Sequence, residues 1–427
     1  MKVIKNPLRT DWPSLLQRPV FETASLNEKV KAILDEVKAN GDAAVRNYTA
    51  QFDKVELKDF LVSKAEIDEG VNALDNQLKK AIELAAANIR KFHNAQRLES
   101  QIIETTPGVK CWQKSVGIEK VGLYIPGGTA PLFSTVLMLA IPAKIAGCKE
   151  IVLCSPPQQN GKIPAAVLFA AQLSGITKIF KIGGIQAIGA MAYGTETVPK
   201  VFKIFGPGNQ YVTAAKQLVS MSEVAIDMPA GPSEVAVMAD ETANPAFVAS
   251  DLLSQAEHGA DSQVILVTTS EKMIADVQLE LEKQLAILPR MEYALKALNN
   301  SRIFLVQTEQ EMIDMMNLYA PEHLIIAMKN YRDISEQIIN AGSIFLGNYT
   351  PESAGDYASG TNHTLPTNGW AVSYSGVNLD SFIRKITFQE ISKEGIQNLG
   401  PIIEQMAEAE HLFAHKNAAT LRMSKER

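Results

Sequence analysis

Val121-Gly122-Leu123-Tyr124-Ile125-Pro126-Gly127-Gly128 is a short apolar run closed by a proline and two glycines. The run has strand length and β-branched ends, and Pro-Gly-Gly is turn chemistry, so it predicts a buried strand over Val121–Ile125. The same unit recurs downstream. Apolar runs follow at Glu150–Cys154, Lys178–Ile182, Val201–Phe205, Val235–Met238, Gln263–Thr268, Arg302–Val306, His323–Ala327 and Ser343–Leu346. Helical periodicity fills most of the gaps, as in Ser134–Ala146, Pro164–Leu173, Ala246–His258 and Glu309–Leu318, the last opened by a Thr308/Glu311 capping box. Apolar strands alternating with helices imply parallel sheets covered on both faces, and right-handed crossovers make them doubly wound. Two α/β sets are predicted, over about Val121–Ala230 and Ser233–Asn348. Upstream, Glu28–Asn40 and Leu74–Ala95 have helical spacing; after Gly376 the alternation stops and the chain ends in a helical, charged tail.

The chain has 427 residues, enough for about two to four domains. A net charge of -6 and a pI near 5.7 offer no general attraction to nucleic acid or to anionic membranes. No secretory signal is expected in MKVIKNPLRTDW, and the apolar stretch Thr135–Ala146 is too short to span a bilayer. Cys111, Cys148 and Cys154 lack C-x-x-C spacing, which suits a reducing, cytoplasmic setting better than a disulfide framework.

No G-x-G-x-x-G fingerprint is present. Phe205-Gly206-Pro207-Gly208-Asn209 and Gly183-Gly184 stand at strand–helix turns where backbone N–H groups can meet a phosphate, or can simply make tight turns. Gln255 and His258 share a helix face just before Gly259. Glu322-His323 pairs a carboxylate with an imidazole. The two can face one site only from the loop ahead of the strand, where Pro321 fits. Gly355–His363 is a polar loop rich in small residues, with Asp356 as a possible metal ligand. In the tail, His411 and His415 are four apart, but Leu412 stands where a zinc protease needs glutamate. Taken singly, each of these also fits an ordinary turn, cap or solvated face.

Together the segments resemble the histidinol dehydrogenase family across almost the whole chain. The resemblance is carried by Gly122–Gly128, Phe205–Asn209, Asp227-Met228-Pro229-Ala230-Gly231-Pro232-Ser233-Glu234, Ser254–Gly259, Ala320–His323, Gly355–Gly360 and Ala414-His415-Lys416-Asn417. It implies two Rossmann-like domains, incomplete and without the standard fingerprint, plus small terminal segments. Residues 1–23 would form an N-terminal segment, 24–121 and 234–376 one discontinuous domain, 122–233 the other, and 377–427 a helical C-terminal segment reaching a partner subunit. It implies one zinc ion per subunit held by Gln255, His258, Asp356 and His415, with Ser233, His323 and Glu410 as further substrate contacts and Tyr124, Gln186 and Asn209 as NAD contacts. It also implies oxidation of L-histidinol through L-histidinal to L-histidine with two NAD, Glu322 and His323 as the proton-transfer residues, and a homodimer sharing its active sites. Competing readings are oxidation of another small alcohol, such as a sulfonated diol, a zinc hydrolase using Glu322 as base, and a catalytically inert metal- or nucleotide-binding protein. His363 and His411 stay outside the expected site. One tension concerns the tail: five positions on a regular helix put Glu410 and His415 about 140° apart, so the helix breaks between them or they grip different ends of the substrate.

Overall fold

A computed structural model describes residues 1–19, 23–127, 131–176, 178–229 and 231–424. Gly128 of the first turn, Ala230 of the Asp227–Glu234 motif and the last three residues of the tail lie outside that set. The strands in chain order are β1 (Lys2–Lys5), β2 (Ile103–Thr106), β3 (Val109–Gly117), β4 (Lys120–Tyr124) and β5 (Glu150–Ser155). Next come β6 (Lys178–Lys181), β7 (Lys203–Phe205), β8 (Ala225–Ile226), β9 (Glu234–Ala239) and β10 (Gln263–Thr268). The last four are β11 (Arg302–Leu305), β12 (His323–Ala327), β13 (Ser343–Leu346) and β14 (Ile383–Ile391).

Two sheets are wholly parallel: a five-stranded one in the order β6-β5-β4-β7-β8 and a six-stranded one in the order β1-β11-β10-β9-β12-β13. Each α/β set therefore runs third-second-first-fourth-fifth, with β1 added at the edge of the second. The order reverses between β4 and β7 in one sheet and between β9 and β12 in the other, which is the doubly wound signature. β9, β10 and β12 are buried along their whole length, as central parallel strands covered on both faces must be.

The N-terminal helices depart from expectation. The helical segment Thr23–Phe52, broken into two helices at Gly41, packs on Gly184–Tyr193 and Gln210–Ser220, Lys64–Ala73 on Ala165–Leu173, and Asn76–Asn94 on Phe133–Ala146. All three therefore cover the five-stranded sheet, whereas the expected discontinuous domain joined them to the six-stranded one. The six-stranded sheet is already clothed by its own helices, with Val248, Leu252, Val277 and Leu281 on one face and Met312, Ile313 and Met316 on the other. On the five-stranded sheet, Ile82, Ala86 and Ile89 complete a core with Val136, Leu137 and Leu139, each large aliphatic contributing on the order of 2 kcal/mol. Amphipathic spacing shows that a helix has a face to bury, not which sheet receives it. The first residues of the chain do belong to the six-stranded sheet: β1 pairs with β11, and Trp12 and Leu16 pack into its core.

A third, antiparallel sheet, β14-β3-β2, was not legible in the sequence. The region after residue 377 is correspondingly not purely helical: the nine-residue β14 pairs along the length of β3 before the helices Lys393–Ala409 and Phe413–Met423 pack on each other. β3 and β14 are largely exposed and carry charges among their apolar residues, so neither shows the buried run that marks the other strands. Among the described residues no helix is long and apolar enough to cross a membrane.

Candidate active site

The carboxyl ends of β4 and β7 meet at the reversal point of the five-stranded sheet. There Gly206 has φ +127°, and a Cβ on it would collide with the Tyr124 carbonyl, so only glycine lets the two strand ends approach. Asn209 caps the helix Gln210–Ser220, its Oδ1 accepting from Tyr211 N (3.0 Å) and Val212 N (3.1 Å). The Tyr124 hydroxyl accepts from Gly184 N (3.1 Å), and burial pushes it up to about 12. These ends open on a cavity of about 1190 Å³ lined by Tyr124, Gly127, Gly184 and Asn209, among others. Gln186, expected beside them, is fully buried behind Gly184, with both amide atoms unpartnered among the described residues.

A second cavity, of about 260 Å³, joins that turn to the six-stranded sheet. Gly206–Asn209 form one wall; Ser233, His258, Glu322 and His363 form the other. Ligands of open α/β sheets usually bind beyond the carboxyl ends of the strands. Here the six-stranded sheet offers the amino ends of β9 and β12, which begin at Glu234 and His323. The two sheets meet carboxyl edge to amino edge, with the cleft between them.

Glu322 and His323 are both buried in this cleft. The helix Glu309–Tyr319 ends on Ala320 in the left-handed region (φ +50°), and Pro321 then directs the chain into β12. Glu322 thus sits ahead of the strand, and its Oε2 accepts from Glu234 N (2.8 Å). His323 Nδ1 lies 3.1 Å from the Glu234 carbonyl. A carbonyl only accepts, so Nδ1 donates to it, which leaves Nε2 facing Asp356 Oδ1 at 3.4 Å. Gln255 Nε2 is 3.4 Å from the same imidazole, and His258 Nδ1 is 3.3 Å from Ser233 Oγ. The helix Pro245–Ala256 stops two residues before His258, but the i, i+3 spacing still brings both side chains to the cleft.

Asp356 lies not in an open loop but in the short helix Glu352–Tyr357. Its carbonyl accepts from His363 Nδ1 (2.9 Å), whose Nε2 is 3.0 Å from Thr135 Oγ1. His363 is therefore a cleft residue that sequence reasoning missed, because a lone histidine in a polar loop carries no spacing signal. Burial depresses both His258 and His363 below the usual imidazole range. Burial also pushes Glu322 up. His323 goes the other way: burial opposes its charge, but Glu322 and Asp356 outweigh it and hold it well above its ordinary value. Asp356, despite burial, is lowered by His323. In the ligand-free chain, then, the imidazole favours its charged form, whereas a starting base must be neutral.

Among the described residues Gln255 Oε1 is buried without a hydrogen-bond partner, Asp356 Oδ1 faces only the His323 ring at 3.4 Å, and His258 favours its neutral form. Those are acceptable zinc donors, so the residues present suit the ion the resemblance implies. They do not complete a site: among the described residues no group of three or more His, Cys, Asp or Glu comes together to hold a metal. Glu410 and His415 are exposed on the C-terminal arm, hydrogen-bonded to none of the cleft residues. The helix breaks between them: Lys393–Ala409 ends, His411 turns at φ +58°, and Phe413–Met423 begins.

Two buried ion pairs buttress the cleft, and neither was visible as a motif. Arg18 binds Glu234 through Nε (2.5 Å) and Nη2 (2.9 Å) while donating to Tyr319 O (2.7 Å). Lys216 Nζ meets Asp227 Oδ1 (2.5 Å) and Gly206 O (2.7 Å), and Asp227 Oδ2 accepts from Gly206 N (2.8 Å). Lys216→Met should cost about 3–5 kcal/mol in urea unfolding, because it strands a buried carboxylate. A loss under about 1 kcal/mol would show that the pair is not what holds the Gly206 turn.

A family model described as histidinol dehydrogenase matches residues 16–423. Over 424 residues the chain is 63% identical to the histidinol dehydrogenase of Bacteroides thetaiotaomicron, covering 99% of both chains. It is 54% identical over 425 residues to that of Escherichia coli (strain K12), covering 97% of both. The crystal structure of histidinol dehydrogenase from Elizabethkingia anophelis superposes with a TM-score of 0.97 at 57% identity, covering 99% of this chain and 98% of that one.

Proposed function

Since the chain belongs to the histidinol dehydrogenase family, and so is an oxidoreductase, we propose that it oxidises L-histidinol through L-histidinal to L-histidine with two NAD in succession, the last steps of histidine biosynthesis. The observation that carries this is the pairing of Glu322, on the wall of a cleft whose far wall is the glycine turn of a dinucleotide-type sheet, with the buried His323 next to it.

His323 Nε2 takes the hydroxyl proton as hydride leaves the carbinol carbon for nicotinamide. The Glu234 carbonyl holds the ring in the tautomer this requires. Glu322 removes a proton from the water that hydrates the aldehyde, and burial, which holds its carboxyl above the usual range, makes it the stronger base for that step. His323 then serves again in the second oxidation. Ser233, beside His258, contacts the substrate from the cleft wall. Gln255, His258 and Asp356, with His415 from a second copy of the chain, would hold zinc, which when bound orients the substrate's nitrogen atoms. A cation against Asp356 would also relieve the charge that keeps His323 protonated. Glu410 would reach the substrate from the same second copy, in a homodimer with shared sites. The exposed apolar residues Ile402, Met406, Leu412, Phe413 and Leu421 of the arm support that assembly. Tyr124, Gln186 and Asn209 would contact NAD.

The direct test is NADH formation from L-histidinol, with chelator and with zinc restored. Two NADH per histidinol, lost and regained with the metal, are expected; none from folded, zinc-loaded protein would redirect the assignment to another alcohol. Glu322→Gln should slow aldehyde oxidation more than alcohol oxidation, by about 10²-fold or more. Equal losses in separate assays of the two steps would remove the hydration role.

A further inference from the structure

Among its described lining residues the larger cavity has one carboxylate, Asp53. The N-terminal helices put it there. Asp53 directly follows the helix Thr23–Phe52 and donates its amide to Thr49 O (2.9 Å). The chain then runs along the edge of the five-stranded sheet, where Lys181 N donates to Phe60 O (2.8 Å) and Val62 N to Ile179 O (2.8 Å). Asp53 is thus fixed between a helix packed on the sheet and a segment bonded to its edge.

Its Oδ2 is buried without a hydrogen-bond partner among the described residues, and burial lifts the carboxyl to about 6. A buried acceptor left unpaired is costly and points to a donor that arrives with a ligand. The wall mixes prolines without an N–H, such as Pro126, Pro156 and Pro157, with polar side chains such as Lys29, Gln158 and Asn160, and among the described residues none of these bonds Asp53 Oδ2.

Asn209 lines both cavities and marks where they join. A dinucleotide with its nicotinamide beside Glu322 and His258 therefore leaves its adenosine half in the larger cavity, where Asp53 stands. In doubly wound dinucleotide folds an acidic residue beyond the glycine turn binds the adenosine ribose. Here the second strand, β5, runs into Ser155-Pro156-Pro157, without an acid. We propose that Asp53 takes that role, accepting the adenosine ribose hydroxyls and excluding the 2′-phosphate of NADP. This rests on the NAD reading above. A carboxylate accepts both hydroxyls of the diol, and its charge repels a phosphate in their place.

The test compares parent and Asp53→Asn, an isosteric change, with NAD and with NADP at saturating L-histidinol. It adds direct NAD binding and thermal unfolding without nucleotide. The parent should strongly prefer NAD. The variant should lose about 10–100-fold in kcat/KM for NAD, mainly through KM, and its NAD-to-NADP ratio should narrow by about tenfold or more. Its unfolding temperature should stay level or rise by about 1–2 °C, since an unpaired buried charge is gone. A merely structural carboxylate would instead lower it. An unchanged ratio in the folded variant, or a parent indifferent between the two nucleotides, overturns the role of Asp53 alone. A parent that neither binds nor reduces NAD overturns the cofactor reading and this assignment with it.

Discussion

His323→Asn should lower kcat for L-histidinol by about 10²–10⁴-fold, the usual contribution of a positioned general base. The asparagine amide can still donate toward the Glu234 carbonyl that His323 Nδ1 faces at 3.1 Å, so the start of β12 keeps its anchor while the basic Nε2 is lost. The same base serves both oxidations, so the rate from L-histidinal should fall by a comparable factor. That separates this variant from Glu322→Gln, whose deficit is expected mainly in the second step. Steady-state rates on both substrates, with zinc content checked, give the comparison. A folded, zinc-loaded variant within about tenfold of the parent would remove His323 from the chemistry.

His258→Asn should lose zinc and activity together. His258 lines the cleft just past the helix Pro245–Ala256 rather than the packed core, so its removal leaves that core untouched. Asparagine is too short to reproduce the imidazole donor. Outer-shell partners of metal ligands already cost about 10–100-fold in affinity when mutated, and a direct ligand should cost at least that much. Elemental analysis after gel filtration should find the variant depleted while circular dichroism matches the parent. One zinc per subunit in purified variant would mean the ion is held elsewhere. In the parent, zinc binding should also depend on association of two chains, because of the four expected ligands Gln255, His258 and Asp356 meet at the cleft while His415 stands exposed on the arm.

The parts of the fold that were legible are those with a strong local signature. β4, β5, β9, β10 and β12 were read within a residue or two because central parallel strands are continuous apolar runs between turn residues. The Thr308/Glu311 capping box formed as expected because both its hydrogen bonds are local. The antiparallel β3 and β14 escaped because their residues are largely exposed. Periodicity marks helices in Thr23–Phe52 and Asn76–Asn94 but not the sheet they cover, since an apolar stripe fits either; the domain division implied by the resemblance joins them to the six-stranded sheet, whereas they pack on the five-stranded one.

The site divides the same way. Glu322-His323, Gln255 with His258, and Asp356 drew attention through residue type and spacing. Alone, each was equally a cap or a solvated face, and the family resemblance raised them above that. What tertiary structure decided is their convergence, which brings Glu234, Gln255 and Asp356 from three separate segments around the His323 imidazole. It also decided the supports, Arg18 on Glu234 and Lys216 on Asp227, whose partners are far apart or unmarked in the chain. The reason is physical. Strand, helix and cap follow from interactions within a few residues, which a sequence displays directly. Which faces pack together, and which buried charges find partners, depends on contacts between distant segments that compete for the same surfaces.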